Sequence, residues 1–197
     1  MVALAVTSAG QQATVTSILI RQGAGAACAW DGGDDMTGIV DVWSSGGPDV
    51  KAIQDASALL LKNPKAVLNS RALNRASQIM GAVNKSKRVD VLYRGMGISK
   101  AEGAALMKQA GKKVALPLTS ATYSPDIAAE FSMRVRGMPT TTDMHLVTEI
   151  RGARGYSISD MVPDQFAYQS EVIIQGNFRV VEVTQDGDQL QMILEAI

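Results

Sequence analysis

The sequence predicts an α+β chain, with helices in front and a split antiparallel β-sheet behind. Three observations point there. Between Pro48 and Met80, apolar residues recur at helical spacing. From Val89 onward, segments such as RVDVLYRGM and MHLVTEIRG alternate as strands do. The C-terminal part is rich in such segments and carries a hairpin signal at Asp186-Gly187. Helices gathered at one end and strands at the other read as α+β rather than as an alternating α/β chain.

Each element has a local reason. Pro48 opens a helix whose apolar side is Val50, Ile53, Ala56, Leu60 and Leu61. A second helix is expected from Asn63-Pro64, with Asn63 as cap and Gly81 or Asn84 as its stop. The strand RVDVLYRGM then ends at Gly95. SKAEGAALMKQAG reads as a helix with Ser99 as cap, Glu102 three residues on and Gly111 after its end. VALPLTSATYS is extended, and Pro117 argues for an edge or the start of a strand. SPDIAAEFSM is a short helix capped by Ser124, and it is expected to bury Ile127, Ala128 and Phe131. MHLVTEIRG, QSEVIIQG and the two arms of NFRVVEVTQDGDQLQMILEAI complete the strands.

Residues 1–47 form a separate case. They are rich in Ala, Gly, Ser and Thr, and GAGAA, DGGDD and SSGG break any pattern. The expectation is a weakly structured arm, with short β-like pieces at Ala13–Ile20 and Gly38–Trp43, in front of a domain over 48–197.

Composition narrows the function. Of 197 residues, 46% are hydrophobic and 19% charged, as in an ordinary globular chain. No run approaches a membrane span, and Met1 to Ile20 lacks the pattern of a signal peptide. Cys28 is the only cysteine, which excludes an internal disulfide and a cysteine-bound zinc cluster. His145 is the only histidine, lies in a predicted strand and reads as structural. Nineteen bases balance nineteen acids, but unevenly. The net charge is −4 over 1–50, +10 over 51–113 and −6 over 114–197. The basic middle either attracts phosphate or is the solvated side of two helices.

Three pieces carry candidate chemistry. Arg94 ends an apolar strand beside Gly95, where a planar guanidinium suits a diphosphate. Thr119, Ser120 and Thr122 place three hydroxyls in one extended segment, with Ser120 and Thr122 on one face. Gln169 and Glu171 stand at i and i+2 where the apolar strand Val172–Ile174 begins, and so project to one side. Each piece alone also fits a bland reading: a solvated strand end, a β-prone Ser/Thr strand, a polar strand start.

Their order is more specific. YRGM, then LTSATYSPDIAAEF, then YQSEVIIQGNFRVVEV resembles the mono-ADP-ribosyltransferase superfamily, in its arginine–serine–glutamate branch of toxin and phage type. The resemblance covers roughly Val89 to Val183. It departs from the family in the middle motif, where Ser120-Ala121-Thr122 stands for Ser-Thr-Ser. The last motif is Gln-x-Glu rather than Glu-x-Glu, which puts an arginine acceptor in doubt.

The resemblance implies an ADP-ribosyltransferase-like split sheet and NAD+ as cosubstrate, with no metal. It implies Glu171 on the ribose 2′-hydroxyl, Arg94 on phosphate and ribose, Ser120 in support of Glu171, and Thr122 as a secondary contact. Gly95 would meet the nicotinamide amide through its backbone. Gln169 would orient the acceptor, with Phe166 and Tyr168 as the recognition face. Arg134 and Arg136 either contact phosphate or are simply solvated. The implied partner is a macromolecular acceptor, protein rather than nucleic acid, reached in a host cell by way of a virion or secretion system, with no membrane role. Modification of nucleic acid and an inactive binding module of the same fold are the alternatives.

Overall fold

The structure is a computed structural model that describes residues 34–135, 138–139, 143–162 and 169–197. In chain order the elements are α1 (Met36–Ser45), α2 (Pro48–Lys62), α3 (Arg71–Lys85), β1 (Val91–Ile98), α4 (Lys100–Leu106), β2 (Lys113–Thr122) and α5 (Pro125–Met133). They continue as β3 (Arg134–Val135), β4 (Met138–Pro139), β5 (Met144–Arg151), β6 (Gly155–Ser157), a 3-10 turn (Ser159–Met161), β7 (Glu171–Asp186) and β8 (Gln189–Ala196).

The sheet runs β2-β1-β5-β8-β7-β6, and β2 also pairs with β7, so five strands close a barrel-like ring. The seam of that ring is narrow. β1 pairs with β5 along its whole length but meets β2 only at Tyr93 opposite Thr122. Beyond this bridge β1 and β2 part. The sheet is mixed, which corrects the antiparallel expectation: β8 runs parallel to β5. The two-residue loop Gly187-Asp188 turns the chain back, and β8 inserts between β7 and β5, which fixes its direction. Gly187 has φ 59, the conformation required at the first position of such a loop.

Helices α1–α3 cover one face of the β2/β7 region. Ile39, Val40 and Trp43 of α1, Ile53 and Leu60 of α2, and Leu73, Ile79 and Val83 of α3 cluster with Leu118 and Ile173 from the strands. Alternation along β7 sends Val172 and Ile174 to the opposite, equally buried face. The middle of β7 is therefore buried on both sides, which is why VII reads as an unbroken apolar run.

Several local expectations change. Gly38–Trp43 is helical, not β-like, and α1 belongs to the core rather than to an arm. Asp35 caps it, with its carboxylate accepting from the Gly38 amide at 2.8 Å. Ala13–Ile20 lies outside the described residues. The third helix starts at Arg71, not at Pro64, because Ser70 supplies the side-chain cap and Asn63 closes α2 instead. QSEVIIQG and NFRVVEV are one strand of 16 residues. Gly176, at φ 141, lets that strand bend without ending. Phe131 is exposed, because α5 lies on β1 through Ala128 and Ser132.

Pro117 sits inside β2 rather than at its start. One extra residue bulges between Leu116 and Thr119, at the position where proline has no N–H to offer the ladder. The displaced Leu118 amide donates instead to the buried Ser57 Oγ of α2 at 2.9 Å. The bulge thus ties the helical layer to the strand that carries Ser120.

Candidate active site

Three strands bring the three predicted groups to one place. Ser120 near the end of β2 and Glu171 at the start of β7 lie on adjacent strands, where Ser120 faces Ile173 and Thr122 faces Glu171. The Ser120 hydroxyl donates to Oε1 of Glu171. Arg94, next to the lone β1–β2 bridge, donates from Nη1 to the Ser120 carbonyl at 2.6 Å. All three are half-buried, at the point where β1 and β2 separate. Burial pushes the Arg94 guanidinium well below its ordinary value, to about 10, against the pull of the Glu171 charge, so it is a cation at neutral pH.

A fourth residue joins them. Trp43 of α1 donates from its indole nitrogen to Glu171 Oε1 at 3.0 Å and to Ser120 Oγ at 3.1 Å. It was invisible in the sequence because it lies 77 residues from Ser120 and 128 from Glu171, in a segment that reads as unstructured. The one available signal was the placement of Trp43 at helical spacing from Ile39 and Val40.

Other predicted residues have different surroundings. Thr122 is buried; its hydroxyl donates to the Gln169 carbonyl at 2.8 Å and accepts from the Ser124 amide at 3.1 Å. It fastens the turn before Glu171. Gln169 is in that turn, not on β7, so strand alternation does not relate it to Glu171. The cause is Ser170, whose φ of 47 is left-handed and breaks the extended chain between them. Gly95 has a packing reason to be glycine: a Cβ there would stand 1.6 Å from the Ala128 carbonyl oxygen of α5. Arg134 begins the short strand β3, while Arg136, Phe166 and Tyr168 lie outside the described residues.

The remaining carboxylates near the motifs are elsewhere engaged or exposed. Glu149 accepts from Arg151 Nε at 2.6 Å, and Glu130 is on the exposed side of α5. His145 lies beside the Ser132 carbonyl, 3.0 Å from Nδ1. Among the described residues no three His, Cys, Asp or Glu side chains gather as a metal site, and no helix is long and apolar enough to cross a membrane. A separate cleft of about 600 Å³ lies between α2, α3 and the far part of β7, lined by Met80, Arg88, Gln175 and Phe178, and holds none of the four site residues.

No protein-family model matches the chain, and no curated protein matches it by sequence. Solved structures match it in shape. Vis toxin, an ADP-ribosyltransferase from Vibrio splendidus, superposes with a TM-score of 0.57 at 16% identity, over 82% of this chain and 72% of that one. An ADP-ribosyltransferase from Clostridium botulinum gives 0.56 at 13% identity, over 81% of this chain and 85% of that one. The chain has the ADP-ribosyltransferase fold. Exoenzyme S from Pseudomonas aeruginosa shares it, with a TM-score of 0.54 at 13% identity over 81% of this chain and 72% of that one; it was solved with human 14-3-3 protein beta and carba-NAD.

Within that fold the arrangement offers an anchored carboxylate beside a cation. Glu171 Oε1 takes two donors, whereas Oε2 takes none from any described residue. Arg94 spends one N–H on Ser120 and has further donors in its planar fork. A ligand with hydroxyl donors and phosphate oxygens meets complementary groups there.

Proposed function

We propose that the protein is an NAD+-dependent mono-ADP-ribosyltransferase of the arginine–serine–glutamate type. It transfers ADP-ribose from NAD+ to a macromolecular acceptor, in the first place a protein side chain of a host cell, and releases nicotinamide. The observation that carries this reading is the hydrogen-bonded chain Arg94–Ser120–Glu171, drawn from three strands to one point.

NAD+ supplies the ADP-ribosyl group and a leaving group whose ring charge is neutralised on departure. The protein's residues do the rest. Glu171 offers Oε2 to the 2′-hydroxyl of the nicotinamide ribose, and its fixed negative charge favours the positive charge that develops on the sugar. Ser120 holds that carboxylate in place. Arg94 takes phosphate and ribose oxygens and fixes geometry without moving a proton. Arg134 and Arg136 extend the phosphate contacts, and the Gly95 backbone meets the nicotinamide amide. Thr122 secures the turn that presents Gln169, and Gln169 orients the acceptor with Phe166 and Tyr168. The catalytic domain starts with α1 rather than at residue 48, and the protein acts as a toxin or effector delivered into its target cell.

The test is transfer of label from NAD+ into a cell lysate, with Glu171→Ala as control. The proposal requires label in a protein band that the control lacks; absence of label in both would refute it. A second reading, with nucleic acid as acceptor, is favoured by one observation. Lys62, Lys65, Lys85, Lys87, Arg88 and Arg154 are all exposed and form no ion pair with a described carboxylate. Digesting the labelled material with protease and, separately, with nuclease decides between the two.

A further inference from the structure

We infer that Trp43 is a positioning residue for the reaction: its indole N–H locks Oε1 of Glu171 and Ser120 together, so that Oε2 alone faces the substrate. The inference rests on the transferase reading above and adds a residue to it.

The donor count carries the argument. Ser120 has a single hydroxyl proton, and it goes to Glu171 Oε1. The Ser120 oxygen therefore meets Trp43 as an acceptor, and the indole N–H, which can only donate, is shared between that oxygen and Oε1 at 3.1 and 3.0 Å. Two donors on one carboxylate oxygen fix the rotation of the carboxylate about its own axis. One donor on a freely turning serine hydroxyl does not, because the pair can swing together.

The indole itself has little freedom. Trp43 is 4% exposed and sits in the helical core with Ile39, Val40 and Ile53. Its helix is anchored twice at the N-terminus: Asp35 caps it, and the adjacent Asp34 pairs with the buried Arg75 and with Arg71 of α3. The donor is thus built on a rigid element, and the cost of ordering the carboxylate falls on folding rather than on catalysis.

The test uses the full chain and two variants. Trp43→Phe keeps an aromatic in the core and deletes the N–H. Replacement of Trp43 by 3-benzothienylalanine keeps the indole shape and exchanges the N–H for sulfur. Both are assayed for nicotinamide release from NAD+ well below their melting temperatures. The expected result is a fall in kcat of roughly tenfold to a hundredfold, the range for a lost hydrogen bond to a charged group, with KM for NAD+ nearly unchanged and the benzothienyl variant still fully folded at the assay temperature. An active wild type with an equally active benzothienyl variant would overturn the inference and leave the transferase reading standing. Losses confined to Trp43→Phe and tracking its melting temperature would show packing alone, and overturn it too. A spectroscopic arm is independent of turnover: the indole ¹⁵N–¹H signal lost in Trp43→Phe should move in Glu171→Ala and in Ser120→Ala, and a signal that stays put in both contradicts the bond. An inactive wild type whose indole signal responds would reject the transferase reading while upholding the contact.

Discussion

Arg94 Nη1 donates to the backbone carbonyl of Ser120 at 2.6 Å, across the seam where β1 and β2 share a single bridge. One guanidinium thus ties the sheet together at its weakest point and keeps further donors in its planar fork.

Substituting Arg94→Lys should therefore raise the Kd for NAD+ by roughly tenfold to a hundredfold. A lysine has the charge but not the planar fork, so it cannot hold the Ser120 carbonyl and grip phosphate in the same geometry. The same burial that brings the arginine down to about 10 acts on a lysine from a lower starting value. Isothermal titration with NAD+ checks this, and unaltered affinity would remove Arg94 from the binding role.

Thr122→Val keeps shape and deletes a hydroxyl that serves two backbone groups, the Gln169 carbonyl and the Ser124 amide. The expected loss is about 1–2 kcal/mol in denaturant unfolding, since both groups are left unpaired in a mostly buried place. Transfer to an acceptor should fall further than nicotinamide release, because the turn that carries Gln169 loosens. Ser170→Gly is the counterpart: at φ 47 a glycine relieves about 1 kcal/mol of left-handed strain, so stability should hold or rise.

Asp34 links the helix of Trp43 to α3. Hydrogen bonds from Arg71 and Arg75 bring its carboxyl from 3.8 down to about 2. A carboxyl depressed on folding contributes stability that is complete above its unfolded value and is lost as pH falls through the folded one. Wild-type stability should accordingly drop between about pH 4 and pH 2, and Asp34→Asn should flatten that part of the curve. At neutral pH the variant should lose about 2 kcal/mol, because Arg75 stays buried without its carboxylate. Thermal unfolding across the pH series measures both effects; parallel curves would contradict the assignment.

Much of this architecture was legible because its causes are local. Ser99 and Glu102 form the complete capping box their spacing announced, with the Ser99 amide donating to Glu102 at 2.8 Å. Pro48 and Ser124-Pro125 start their helices as expected, and the turn after Asp186 closes the last hairpin. One local signal misled: Asn63 suits a cap, but Asn63 ends α2 and Ser70 supplies the cap of α3 through its hydroxyl. Gly176 looked like a strand end because composition cannot reveal that β7 is held on both edges and has no reason to stop.

At the site the same division holds. Motif order grouped Arg94, Ser120 and Glu171, which the strands bring together, although which atoms meet was not readable. Trp43 was unreadable, since its partners lie on strands far along the chain and its own segment is dominated by glycine, serine and aspartate. Thr122 carried the right residue type, but its hydroxyl bonds the backbone of a turn that the Gln-x-Glu spacing had placed on the strand.

Nicotinamide release from NAD+ by the wild type and by Glu171→Gln is the most direct test of the central claim. Glutamine keeps the size of the side chain and an oxygen able to accept from Ser120 and Trp43, but removes the negative charge. The account predicts measurable release by the wild type and a loss of about a hundredfold or more in the variant, with both proteins folded and melting within a few degrees of each other. Equal rates, or a wild type that binds NAD+ without ever cleaving it, would contradict the account.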